Sequence, residues 1–235
     1  RQYDGTTAAA GSTLSSFDAL QGGETLTMTG SGTAASANVA NGIAMSSNGN
    51  LALADGTGAA SNYSLNSTVI NVTQRPISLS GTRLYDATTN AVASDLSTHA
   101  NLVGSETLTL SGTGTIASKD VGSNKTVSVG TLALGNGSNG GLAGNYTLTG
   151  GTHQLTVNQR PLNATLARQY DGTTAAAGST ISSFDALQGG ETLTMTGSGT
   201  AASANVANGI AMSSNGNLAL ADGTGAASNY SLNST

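Results

Sequence analysis

Residues 1–68 of this chain return as residues 168–235, with Leu14 against Ile181 as the one difference. A third, diverged copy lies between them. Tyr3-Asp4 corresponds to Tyr85-Asp86 and Tyr170-Asp171, Glu24 to Glu106 and Glu191, and Asn62-Tyr63 to Asn145-Tyr146 and Asn229-Tyr230. The signature tyrosines are 82 and 85 residues apart (Tyr3 to Tyr85, Tyr85 to Tyr170). Solenoid turns repeat every ~20–50 residues, so this period suits a small domain instead. The expected organisation is a tandem array, and arrays work by length or by multiplicity.

The phrase Gln-Arg-Pro holds both prolines of the chain, Pro76 and Pro161, and precedes each later Tyr-Asp pair. Proline fixes its own φ and cannot donate to a β-ladder, which suits a seam. The boundaries drawn there give repeats at 1–75, 76–160 and 161–235. Only the middle one is complete. The first lacks a counterpart of residues 162–166, and the last lacks one of Val69-Ile70-Asn71-Val72, so strand edges are expected to be exposed at both ends. With Arg1 in place of an initiating Met, the chain is expected to be an internal fragment.

Period-two alternation recurs, as in Thr107-Leu108-Thr109-Leu110 and Leu155-Thr156-Val157, with one face apolar and the other polar. This is the pattern of half-buried strands. Turn phrases such as Gly135-Asn136-Gly137 separate the runs. The stretch from Ser15 to Gln21 is predicted to make one or two helical turns capped by Ser15 or Ser16, with residues 93–102 as its counterpart. The fold expected is all-β, a tandem array of small β-sandwich repeats with a short helical turn in each. A β-solenoid is the architectural rival, but no stacked period of about 20–25 residues can be laid along a repeat. Disorder is opposed by the Tyr and Leu positions kept across the diverged copies.

Charged residues are only 8% of the chain and the net charge is −5. An ordinary globular chain carries about 25% charged residues. With seven basic residues no phosphate-neutralising stripe can be built, so nucleic acid is excluded as a partner. No apolar run reaches the ~20 residues that span a bilayer, so membrane insertion is not expected. There is no cysteine, which removes disulfides, thiolate metal sites and cysteine nucleophiles together. Six Tyr and two Phe are the only aromatics, so each repeat needs them for its core.

The signature Tyr3-Asp4-Gly5-Thr6-Thr7, repeated as Tyr170-Asp171-Gly172, with Gly23-Glu24-Thr25-Leu26 and Asn62-Tyr63-Ser64-Leu65, resembles the YDG/MBG-type repeats of large secreted bacterial adhesins. The middle repeat adds Asp120-Val121-Gly122, but replaces the signature glycine with Ala87. The outer repeats carry Asn38-Val39-Ala40 and Asn205-Val206-Ala207 at the Asp-Val-Gly position. The resemblance implies a filamentous-haemagglutinin-like exoprotein, sent by two-partner secretion to the surface of a Gram-negative bacterium. It also implies Ig-like or β-grasp-related units that form a stalk.

Candidate chemistry is sparse. His99 and His153 are confined to the middle repeat with no ligand at metal spacing, and are expected at the surface. Asp4, Asp86 and Asp171 are expected to accept from backbone N–H groups of the next turn, with Gly5 or Gly172 taking positive φ; the rival is an acid/base pair with Glu24, Glu106 or Glu191. Asp55-Gly56-Thr57-Gly58 supplies one carboxylate where calcium takes several, and the middle repeat has Asn136 there. Lys119 and Lys125 are the only lysines, so a shared isopeptide crosslink is excluded. No catalytic residue, metal or cofactor is expected. The function expected is a non-catalytic spacer whose partners are neighbouring repeats. The alternative is multivalent binding of polysaccharide or another cell surface, with Tyr3, Tyr63 and their equivalents as a stacking platform.

Overall fold

The computed structural model describes residues 1–13 and 16–233, and the chain is all-β. It divides into two compact units. The first comprises Arg1–Leu79, His99–Ser111 and Ala133–Thr152; the second comprises Ser80–Thr98, Gly112–Leu132 and His153–Thr235. The middle sequence repeat is therefore shared: some of its strands pack with the first repeat, the others with the third.

In the first unit an antiparallel sheet runs in the order Ala8–Ala10, Ser31–Ala34, Ala40–Ser47, Val69–Val72. Two antiparallel ribbons accompany it, Leu26–Thr29 with Ala52–Asp55 and Leu108–Ser111 with Ala133–Asn136. In the second unit residues 80–84 of the strand Ser78–Leu84 are followed across the sheet by His153–Asn158, Gly122–Ser128, Thr113–Ile116 and Asn90–Val92. The third repeat forms a separate sheet, Ala175–Ala177, Ser198–Ala201, Met212–Ser214. It also forms the pair Ala164–Leu166 with Ile181–Phe184 and the ribbon Leu193–Thr196 with Ala219–Asp222.

Alternation decides which face is buried. Leu26 and Met28 point inward while Thr27 and Thr29 face solvent. Ile70 and Val72, and their counterparts Leu155 and Val157, are almost wholly buried. Each such side chain contributes about 1.5–3 kcal/mol relative to its exposed state. The same period puts His153 on the inward face with Leu155 and Val157. It is buried and His99 half-buried, so neither is the surface residue expected.

Among the described residues helix is limited to single 3₁₀ turns, two in each repeat, including Ala60–Asn62, Ala143–Asn145 and Ala227–Asn229. Of the helical turns expected from Ser15 to Gln21, none is formed over the described residues 16–21. Ser15 lies outside the described residues, while residues 16–21 are irregular, with Ala19 at φ 61°. In the third repeat the equivalent Ile181–Phe184 is a strand, because Ala164–Leu166 offers it an edge. In the middle repeat one 3₁₀ turn, Ala93–Asp95, gives way to the strand Thr98–Ala100.

The signature turn needs positive φ: 77° at Gly5, 63° at Ala87 and 76° at Gly172. A side chain there costs about 1–2 kcal/mol. Ala87→Gly relieves that strain and loses about 0.4–1 kcal/mol through the freer unfolded chain. The expected result is a net gain of about 0.5–1 kcal/mol, a rise in Tm of about 1–4 °C by calorimetry. Gly5→Ala is expected to lower stability by more than this, because its Cβ would lie 2.7 Å from Val103 Cγ1.

Candidate functional site

The recurring phrases meet at one constellation, once in each unit. Its parts are set by local structure. In the signature turn Asp4 Oδ1 accepts from the Thr6 N–H at 2.9 Å, and Asp86 and Asp171 do the same for Thr88 and Thr173. An arginine two residues before each tyrosine closes the turn: Arg1, Arg83 and Arg168 donate both to that aspartate and to the carbonyl of Thr6, Thr88 or Thr173. The bonds from the Thr173 N–H and hydroxyl, and then from Arg168, hold Asp171's carboxyl below the usual carboxylate range. The aspartates thus serve the turn.

The second part is the 3₁₀ turn before Asn-Tyr. Asp55 Oδ1 accepts from Ala60 N–H at 2.7 Å, Asp222 from Ala227 N–H at 2.7 Å, and Asn136 from Ala143 N–H at 2.9 Å. An acceptor oxygen is all this role needs, so Asn replaces Asp in the middle repeat. The turn delivers Asn and Tyr in succession, Asn62-Tyr63, Asn145-Tyr146 and Asn229-Tyr230.

In the first unit Tyr3 donates to Glu106 Oε1 at 2.7 Å, and Tyr146 donates to Glu106 Oε2 at 2.6 Å. The two rings meet edge to face, 5.4 Å between centroids at 79°. Val103 N–H donates to the Tyr146 hydroxyl oxygen at 3.0 Å. Asn145, 2% exposed, accepts from Val39 N–H at 2.9 Å and donates to Asn38 Oδ1 at 3.0 Å. Arg75 of the Gln-Arg-Pro phrase donates to Asn101 O at 2.7 Å and to Tyr3 O, and Arg75–Pro76 pairs in parallel with Tyr146–Thr147. The signature of the first repeat is therefore held by the Glu, Asn and Tyr of the next.

The second unit repeats this with the middle and third repeats. Tyr85 and Tyr230 donate to Glu191 at 2.6 and 2.8 Å, with ring centroids 5.3 Å apart at 76°. Asn229, 1% exposed, accepts from Val121 N–H and donates to Asp120, both at 2.9 Å. Arg160 donates to Tyr85 O at 2.6 Å, and Arg160–Leu162 pairs in parallel with Tyr230–Leu232. Lys119 is an addition: its Nζ lies 2.5 Å from Glu191 Oε1 and 5.8 Å from the centroid of the Tyr85 ring.

Two half-sites complete the picture. Tyr63 donates to Glu24 Oε2 at 2.6 Å with no signature tyrosine beside it, and Asn62 is exposed. Tyr170 is 65% exposed, whereas Tyr3 and Tyr85 are 3% and 0% exposed. The Asp–Glu pairing weighed above is not what forms, since the glutamate of the next repeat meets the tyrosine. Sequence reasoning missed the arginines, although all five fall in two phrases, Arg-x-Tyr-Asp and Gln-Arg-Pro. Lys119 had no counterpart in the outer repeats to mark it. Among the described residues no group of three or more His, Asp or Glu is placed to hold a metal ion.

The electrostatics follow from the shared carboxylate. Burial and the Glu106 bond push Tyr146 up to about 12, and burial with Glu191 does the same to Tyr230. Tyr3 and Tyr85 are raised for the same reasons. For Glu191, burial works upward but is outweighed by the bonds from Lys119, Tyr85 and Tyr230, so its carboxyl lies below the ordinary value of 4.5. A raised tyrosine stabilises the fold below pH 10, and that contribution is lost as pH rises through about 12. A depressed glutamate stabilises it above pH 4.5, and that is lost as pH falls through the lower folded value. Glu191→Gln strands Lys119 and weakens two phenol bonds, at an expected cost of about 2–3 kcal/mol. Urea unfolding at pH 7 reads this loss, and at pH 3 the gap between variant and parent is expected to narrow.

Comparison with known proteins bears on these repeated phrases. No curated protein and no solved structure matches the chain. The family model of the YDG domain matches three times, over residues 1–70, 71–156 and 153–235. These matches cover the chain, which belongs to the YDG domain family.

Proposed function

We propose that these repeats are non-catalytic spacer elements of a secreted bacterial surface adhesin, carrying an adhesive region away from a Gram-negative cell. The observation that carries this reading is the recurrence of one junction with the same residue types, Tyr3–Glu106–Tyr146 and then Tyr85–Glu191–Tyr230. A signature that is completed by the next repeat gives every added repeat a fixed attachment. Length then grows by repetition, without new chemistry. Membership of the YDG family supports the reading, as does the near-identity of the outer repeats, which suits changes of copy number by recombination.

On this proposal each repeat is a small β-sandwich, Ig-like or β-grasp-related, exported by two-partner secretion. A diverged repeat between two alike ones lowers misassembly between neighbours. Multivalent glycan binding through the signature tyrosines is disfavoured. Tyr3 and Tyr85 are buried against Tyr146 and Tyr230, so no stacking platform is shared by all three repeats.

Small-angle X-ray scattering on this chain and on chains lengthened by two and four whole repeats tests the spacer. Maximum dimension is expected to rise linearly with repeat number. Growth close to the square root of length is the behaviour of a flexible coil and would sink the proposal.

A further inference from the structure

We infer that two positions, the third residue of the signature and the residue three before the junction glutamate, form a matched pair that sets which repeat can follow which. A repeat of the middle type accepts a successor of the outer type and excludes one of its own. The inference rests on the junction geometry and not on the spacer reading, and it would stand if the array did something other than hold a distance.

The two junctions share one backbone. Asn101 and Gly104 have φ 71° and 54° ahead of Glu106, and Ala186 and Gly189 have φ 57° and 60° ahead of Glu191. Val103 N–H donates to the Tyr146 hydroxyl oxygen at 3.0 Å, and Gln188 N–H donates to the Tyr230 hydroxyl oxygen at 3.1 Å. The signature turns correspond as well, with positive φ at Gly5 and at Ala87. What differs at this point is side chains: Gly5 with Val103 in one junction, Ala87 with Gln188 in the other.

One methyl-sized space is filled differently in the two. In the first junction Val103 Cγ1 takes it, since a Cβ on Gly5 would lie 2.7 Å from that atom. In the second junction Ala87 supplies the methyl, which sits over Gly189 so closely that a Cβ there would be 2.9 Å from it. A Cβ on Gly104, the equivalent glycine of the first junction, would meet nothing within 4 Å. Gln188 leaves room by folding back, its Nε2 donating to Ala186 O at 2.9 Å. Gln21 folds in the same way onto Ala19 O in the first repeat. The space is filled from the turn or from the following repeat, never from both.

Two middle-type repeats in succession would fill it twice. The methyl at position 87 would then face a valine carbon at about 2.7 Å, where carbon contacts favour about 3.5–4.0 Å. Neither side yields readily. Valine is stiff at χ1, its N–H is held by the tyrosine hydroxyl, and an alanine methyl has no torsion that moves it away. An outer-type successor brings glutamine to that place and no clash. Lys119 cannot make this distinction, because every repeat carries the junction glutamate and the ammonium would meet one in either successor. The departure of Ala87 from the signature glycine thus acquires a role, as a clash set against the wrong neighbour.

Amide hydrogen exchange in the 235-residue chain tests the pairing. The N–H groups of Val39 and Val121 donate across the first and second junctions to Asn145 and Asn229, so their protection reads the opening of each junction. Val103→Gln is expected to change Val39 exchange by less than about threefold when Gly5 is present, but to slow it at least about tenfold relative to Gly5→Ala alone. The chain with both Gly5→Ala and Val103→Gln carries the side chains of the second junction, so it is expected to fold even where Gly5→Ala alone does not. The converse holds at the second junction. Gln188→Val is expected to speed Val121 exchange at least about tenfold beside Ala87, and by less than about threefold once Ala87→Gly removes the methyl. Equal effects of Val103→Gln with and without Gly5→Ala overturn the inference, as do equal effects of Gln188→Val with and without Ala87→Gly. Failure of the Gly5→Ala, Val103→Gln chain to fold also overturns it.

Discussion

A glutamate carboxylate shared by two phenols from different repeats is the interaction on which the rest of this structure depends. A charge withdrawn from water is costly unless its lone pairs are filled. At Glu106 the filling comes from Tyr3 and Tyr146, which stand 143 positions apart in sequence. Neither repeat can satisfy that glutamate fully alone. The half-site at Glu24 shows the consequence: one phenol bond is present, and the neighbouring Asn62 stays exposed. Burial of Asn145 and Asn229 is a result of assembly, because their amides are satisfied by the preceding repeat, through the N–H of Val39 and Val121 and the side chains of Asn38 and Asp120.

Charge poverty gives this arrangement its weight. With few ionic groups to spend, the chain stitches its ribbons with hydroxyls and amides. Thr25 and Thr57 bond across one ribbon end, Thr192 and Thr224 across its copy, and Thr107 with Ser138 across the middle one. Asn50 and Asn217 accept from the N–H of Ser31 and Ser198 at 2.7 Å, holding the crossing where Gly30 and Gly197 pass close to the Asn50 and Asn217 carbonyls. Ser, Thr and Asn are therefore structural bonds here as well as solubilising surface. Such uncharged bonds contribute about 0.5–1.5 kcal/mol each. The charges that remain are concentrated where a stronger and more directional bond is needed, at the signature turn and the junction.

What could be read from sequence was the local part. Alternation such as Leu26-Thr27-Met28 announces a half-buried strand, and positive φ at Gly5 follows from its place after Asp4. The partnership of Tyr3 with Glu106 could not be read, because no periodicity links residues 103 apart, and each looks like a core or turn residue within its own repeat. The helical turn expected after Ser15 failed for a tertiary reason. Their counterparts at 181–184, with Ile181 in place of Leu14, pair as a strand once an edge lies beside them, so propensity yields to pairing. His153 went wrong through too little use of a correct rule, since the alternation that buries Leu155 and Val157 buries it too. The arginines were legible in principle, because a residue type that appears only in two repeated phrases is being used there.

The diverged middle repeat gains meaning from the way the junction is shared. Each junction takes its tyrosine and arginine turn from one repeat and its glutamate, asparagine and second tyrosine from the next. Two alike outer repeats therefore take part in unlike junctions. The first joins the turn of an outer repeat to Glu106, and the second joins the middle repeat's turn, with Lys119, to Glu191. The outer repeats carry Ala37 and Ala204 where the middle one has Lys119, so an outer repeat's turn brings no ammonium to the carboxylate it meets. Alternation of repeat type thus distinguishes neighbours by a charge pair added at one junction and absent from the other. A difference in binding free energy between right and wrong neighbours is all that specificity requires. In a chain so poor in charge, a single lysine beside a buried glutamate is a large share of the means available.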